Sequence, residues 1–200
     1  MRPDEPWWTF LMRITNNAPV TLAFFVISLI VSILPIPEAM LAVHGPLRLS
    51  PNFVLTLFTY PFAHLDIRHF GGNLSMFLLL GPLLEERHGS RVFALILLAT
   101  TLAIGLLHSA LFPSAILGAS GLVFMCITAT SVTSARAGEI PVTLIAVCAA
   151  FLGTEIMEAI TAHDRIAHSA HLLGGVVGVA FGLARRHMAG GGGKGRAPRR

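Results

Sequence analysis

The chain reads as an all-α membrane protein, a bundle of six transmembrane helices with a long first external loop, and three observations predict it. Of its 200 residues 54% are hydrophobic and only 12% charged, with a mean hydropathy of +0.74. A soluble domain carries roughly a quarter charged residues, so most of this surface must face lipid. Apolar runs recur along nearly the whole chain, leaving no stretch for a separate soluble domain. Lysine and arginine are also distributed unevenly between the two sides that such runs define.

A spanning helix needs roughly 17–25 mostly apolar residues. Six candidates follow in order: residues 19–35, 69–84, 92–112, 115–133, 140–158 and 166–184. Residues 1–18 precede them as an N-terminal segment, 19–186 form the membrane domain, and 187–200 form a flexible basic tail. With the N-terminus placed in the cytoplasm, only Arg48, Arg68 and Arg165 fall outside and the other eleven basic residues fall inside. That asymmetry fits the positive-inside rule and predicts two cytoplasmic termini. Residues 36–65 become the external loop, in which "FVLTLF" is suited to the membrane interface. The first apolar run is not followed by a clear small-residue cleavage site, so no cleavable leader is expected. A compact chain of this kind suits a bacterial plasma membrane.

Composition excludes several functions. The pI near 10.0 comes from cations at the ends of apolar runs and in the tail, a pattern that suits anionic lipid headgroups and not nucleic acid. Cys126 and Cys148 both lie inside apolar runs and behave as small hydrophobes. Neither a disulfide framework nor a cysteine metal site is expected, and no cofactor is called for.

Chemistry-bearing residues cluster at the external ends of three spans. On the second, His69 and Asn73 are four apart and share one helix face, with His64 five residues earlier. The fourth begins at "LGASGLVF", which sets Ser120 among small residues. The sixth carries His171, then Gly174, Gly178 and Gly182 at fourfold spacing. Polar groups inside a membrane are costly and line cavities. A serine hydroxyl needs a base to take its proton, and His171 can serve, with an ordinary imidazole pKa near ~6.5. The glycine stripe lets the two helices approach closely. At the first turn of its helix, Ser120 sits among backbone N–H groups without intrahelical partners, which suit a developing oxyanion.

Each residue also has a plainer reading. Ser120 alone reads as a helix cap or packing residue, and His171 alone as a buried imidazole bonded to a carbonyl. Asn73 serves equally as interhelical glue, worth roughly 0.6–2 kcal/mol. His64 is expected to bond loop backbone, His168 to line the cavity, and His108 and His163 to sit at the interface. Glu85, Glu86 and Arg87 are expected to make cytoplasmic loop contacts, and Glu155 and Glu158 to be solvated helix-end charges.

Taken together and in order, these segments resemble the rhomboid intramembrane proteases, over residues 64–182. That family's pattern of H-x4-H-x3-N, G-x-S-G and H-x2-G-x3-G reads here as His64/His69/Asn73, Gly118/Ser120/Gly121 and His171/Gly174/Gly178. The resemblance implies a serine endopeptidase with a Ser120–His171 dyad and no orienting acid. It also implies oxyanion donors from His69, Asn73 and the Ser120 backbone, and Phe124 packed near the imidazole. Two departures stand out: Arg48 has no neighbouring tryptophan in the first loop, and Thr128 stands near a position where relatives carry glycine. The expected partners are transmembrane protein substrates and membrane lipids. A non-catalytic rhomboid-like protein that binds membrane helices is the alternative. A metal protein built on His69, His168 and His171 is a third reading, for which no H-E-x-x-H or spaced carboxylate is present.

Overall fold

The computed structural model describes residues 17–135 and 166–191, with isolated positions between 140 and 149, and side chains of the last helix from 169 to 188. The expected fifth span lies almost wholly outside the described residues, as do Glu155, Glu158 and His163 and the side chain of His168.

Pro19 opens α1 (Pro19–Ile33), where its fixed φ and missing N–H suit the first turn. The chain is extended again at Leu34, before Pro35. A short helix α2 (Glu38–Leu41), a strand β1 (Val43–His44) and α3 (Pro51–Thr59) follow. Ser50 caps α3 by accepting from Phe53 N at 3.1 Å. After a 3-10 turn at Tyr60–Phe62 comes α4 (Ile67–His88), capped by Asp66, which accepts from His69 N at 2.7 Å. Gly89, at φ +85°, ends α4 and starts α5 (Ser90–Leu111). The chain then forms β2 (Ala115–Ile116), α6 (Ser120–Ser134) and α7 (Ile166–Gly191).

Among the described residues the all-α expectation holds except for one antiparallel pair, in which Val43 faces Ile116 and His44 faces Ala115. The fourth span therefore starts later than expected. Residues 115–116 join this pair, and the helix begins only after Gly118 turns the chain at φ +104°. Among the described residues, α5 is the helix both long and apolar enough to cross a membrane. Both α1 and α6 are apolar but shorter, at 15 residues each.

Glu85 departs from its expected role in a loop. It is 1% exposed and caps α1 from the neighbouring helix. Val20 N and Thr21 N each donate to its carboxylate at 2.9 Å, and Thr21 Oγ1 donates at 2.8 Å. A carboxylate at a helix N-terminus satisfies orphan donors and meets the positive end of the dipole. One turn earlier, Gly81 leaves room for Thr21, which would lie 2.8 Å from any Cβ added there.

The main core joins α1, α4, α5 and α6 around Phe24, Phe77, Phe93 and Met125. Phe24 packs on Phe77 with ring centroids 4.5 Å apart. A second core docks the segment between α1 and α4 onto α5 and α7 through Val43, Leu57, Tyr60, Ile104 and Ala170. Tyr60 anchors it by donating to Thr101 O at 3.0 Å. Outside, large apolar side chains are left uncovered, including Leu79 at 62% and Leu95 at 66%. Such an exterior suits acyl chains, which need no polar cover.

Candidate active site

Ser120 is the first residue of α6, preceded by Ala119 as an N-cap without side-chain capping. Glycine at 118 is required twice over. Its φ of +104° disfavours other residues, and a Cβ there would lie 2.7 Å from His69 Cε1 and 2.9 Å from Nε2. Gly118 N donates to Tyr60 O at 2.8 Å, which ties the turn before Ser120 to the docked loop. The first N–H groups of α6 have no intrahelical acceptor.

Three glycines set α6 and α7 side by side and parallel. A Cβ at Gly174 would lie 2.0 Å from Gly121 O, one at Gly178 would lie 2.3 Å from Met125 O, and one at Gly182 would lie 2.7 Å from Val132 Cβ. Gly121 meets the Ala170 carbonyl in turn, at 3.0 Å from a hypothetical Cβ. The two backbones are thus in direct contact at Gly121, between the neighbours of Ser120 and those of His171. Phe124, one turn after Ser120, stacks flat on His171 with centroids 4.4 Å apart and planes 5° apart. Ser120 and His171 are both partly exposed. Gly121 also packs on Ile104, seven residues before the end of α5. Helical rise then sets Ser120 about 10 Å below that end.

The second helix brings its own polar groups. His69 Nδ1 accepts from Leu65 N at 3.4 Å, and a neutral imidazole that accepts there carries its proton on Nε2, on the edge of the ring that faces Gly118. Asn73 Nδ2 is buried without a hydrogen-bond partner among the described residues. His64 is 7% exposed, bonds Phe62 O through Nδ1 at 3.2 Å and lies edge-on to His69 at 5.1 Å. It thus bonds loop backbone, as its position suggested. Burial, and then the neighbouring His69, push His64 down to about 4, against the smaller opposing effect of the Phe62 carbonyl. The His69 amide and the nearby Arg68 keep the exposed Asp66 carboxyl below its ordinary value, outweighing slight desolvation.

One residue here behaves differently from expectation. His108 is fully buried rather than interfacial. Its Nδ1 bonds Ser169 Oγ at 3.0 Å and its Nε2 bonds Ser114 O at 3.2 Å. This joins α5 to the start of α7, two residues before His171. Thr128, near the position where relatives carry glycine, ties α6 to α7. Its Oγ1 donates to Gly175 O at 3.0 Å, within reach of the contact at Gly178. Among the described residues, no three His, Cys, Asp or Glu side chains gather as a metal site.

A membrane-type helical bundle with polar groups converging at one end of three helices defines the class. Residues 51–187 match the rhomboid domain, and the chain belongs to the rhomboid family. It is accordingly an all-α integral membrane protein. No curated protein matches the sequence.

Proposed function

We propose that the chain is an intramembrane serine endopeptidase that cleaves transmembrane segments of other membrane proteins, with six spans and both termini in the cytoplasm. The observation that carries this reading is the flat stacking of His171 on Phe124, one turn from Ser120, where α6 and α7 touch backbone to backbone. That arrangement holds an imidazole beside the face of α6 that bears the serine.

In this mechanism His171 takes the Ser120 proton as the hydroxyl attacks the scissile carbonyl. The oxyanion that forms is met by N–H groups at the start of α6, by His69 Nε2–H and by Asn73 Nδ2–H. His171 then passes its proton to the leaving amine, and water releases the acyl group by the reverse sequence. No cofactor is needed. The unmatched Asn73 donor is what such a site requires, since the oxyanion supplies its missing acceptor only during the reaction. The substrate helix must unwind locally, because a hydrogen-bonded helix shields its carbonyls.

The test is covalent labelling of the detergent-solubilised full chain with a fluorescent serine-directed phosphonate. Labelling is expected in wild type and absent from Ser120→Ala and His171→Ala. A folded wild type that fails to label supports a non-catalytic helix-binding protein instead. Labelling that survives Ser120→Ala assigns the nucleophile elsewhere.

A further inference from the structure

His108 lies in the last turn of α5, is 0% exposed and takes no part in the mechanism above. A histidine inside an apolar span is costly and marks a function. Both of its ring nitrogens are bonded: Nδ1 with Ser169 Oγ at 3.0 Å, and Nε2 with Ser114 O at 3.2 Å and Ser114 Oγ at 3.3 Å. Because Ser114 offers both a carbonyl and a hydroxyl, either imidazole tautomer keeps the bond to Ser169. The ring also stacks on Phe112, with centroids 5.2 Å apart. Ser114 O accepts from Gly45 N at 3.0 Å as well, so the ring rests against a point that the docked loop already fixes.

Ser169 and His171 are two residues apart, about 200° around the axis of α7. One side of the helix carries the proposed base to Phe124 of α6, and the opposite side is bonded to α5. The flat stack of His171 on Phe124 resists approach but yields to sliding within the ring planes. The contact of Gly121 with Gly174 sets how closely the two axes lie, and no side chain interlocks there. Thr128 Oγ1, bonded to Gly175 O at 3.0 Å, holds α7 one turn beyond His171. The bond from His108 holds it two residues before, from the other side. An imidazole sits about 5–6 Å from its helix axis, so a rotation of about 10° moves it about 1 Å. A displacement of that size at a reacting group costs on the order of 10²-fold in rate.

We propose that His108 is a positioning residue, which holds His171 at its working angle to Ser120 by bonding Ser169. This rests on the serine-protease reading of the site. The plainer role is interhelical glue, which contributes to stability and leaves the reactivity of each folded molecule unchanged.

The test is the saturation kinetics of phosphonate labelling of the detergent-solubilised full chain, corrected for the folded fraction. The limiting rate kinact reads the reactivity of the dyad, and KI reads binding of the phosphonate. His108→Leu and Ser169→Ala should each lower kinact about tenfold or more, with KI changed less than about twofold. The H108L/S169A double variant should lose no more than the worse single one, because both remove the same bond. Asparagine sets an amide where Nδ1 stands, one bond beyond Cγ, so His108→Asn should keep most of kinact. Glutamine carries its amide one carbon further, and His108→Gln should not. Wild-type kinact in folded His108→Leu or Ser169→Ala overturns the proposal, as do losses that multiply in the double variant. Should His108→Leu not fold, Ser169→Ala decides. These failures occur in a wild type that labels and remove the positioning role alone. A wild type that does not label removes the serine-protease reading and the positioning role with it.

Discussion

Asn73 carries one of the few buried donors left without a partner among the described residues, and its side chain separates two readings that predict different things. Were it interhelical glue, Asn73→Ala would lower stability and leave turnover per folded molecule intact. As an oxyanion donor it should lower kcat about 10²-fold or more with little change in KM, while the thermal midpoint barely moves. His64 offers a second test. Its pKa near 4 lies below the ordinary imidazole value of 6.5, so the unfolded chain binds a proton that the folded chain refuses. The stability this represents is complete above pH 6.5 and is lost as pH falls towards 4, by on the order of 2–3 kcal/mol. In thermal melts across that window wild type should lose stability as pH falls, and His64→Gln should lack that slope. A wild-type slope that persists in His64→Gln would place the titration on another group.

At the scale of elements, the α6–α7 pair and the capping of α1 make opposite kinds of demand. Gly174→Ala sets a Cβ 2.0 Å from Gly121 O, with backbone on both sides and nothing flexible to yield. The expected result is a loss of about 1–3 kcal/mol in stability, together with phosphonate labelling reduced far beyond what the unfolded fraction explains. Glu85→Ala leaves three donors at the start of α1 unmet and should cost about 3 kcal/mol or more in a denaturation experiment, with labelling of the folded fraction preserved. These two features differed in how far they could be read from sequence. The Gly174, Gly178, Gly182 spacing is local and repeats with the helix, so the contact of the last helix with the serine helix was legible. Glu85 pairs with Thr21 across 64 positions, and His108 pairs with Ser169 across 61. Hydropathy places such residues at a helix end or interface but holds no information about a partner so distant. The start of α6 was misplaced for a related reason. Ala115 and Ile116 are as apolar as a helix requires, and only their pairing with Val43 and His44 takes them out of it.

Over the whole molecule, the two cores meet along α5, which faces the docked loop through Ile104 and the helical core through Phe93. Cys126 sits at 0% exposure in the main core and reports on the integrity of the bundle. In a Cys148→Ser chain, pulsed alkylation should modify Cys126 only at the rate of global opening, and its protection should follow the denaturation curve. Modification well before that curve would mean that α6 detaches by itself.

The contact between Gly121 and Gly174 has a bearing on how the protein responds to its surroundings. Where two helices are separated by side chains, their spacing can drift with temperature, pressure or bilayer thickness, since side chains change rotamer. Here a carbonyl oxygen rests against an alpha carbon, and that interval is as incompressible as the atoms themselves. The spacing of the proposed nucleophile and base therefore behaves as a fixed gauge. Sensitivity of the rate to lipid composition must then arise in how a substrate helix arrives and bends, not in the pair that would cut it.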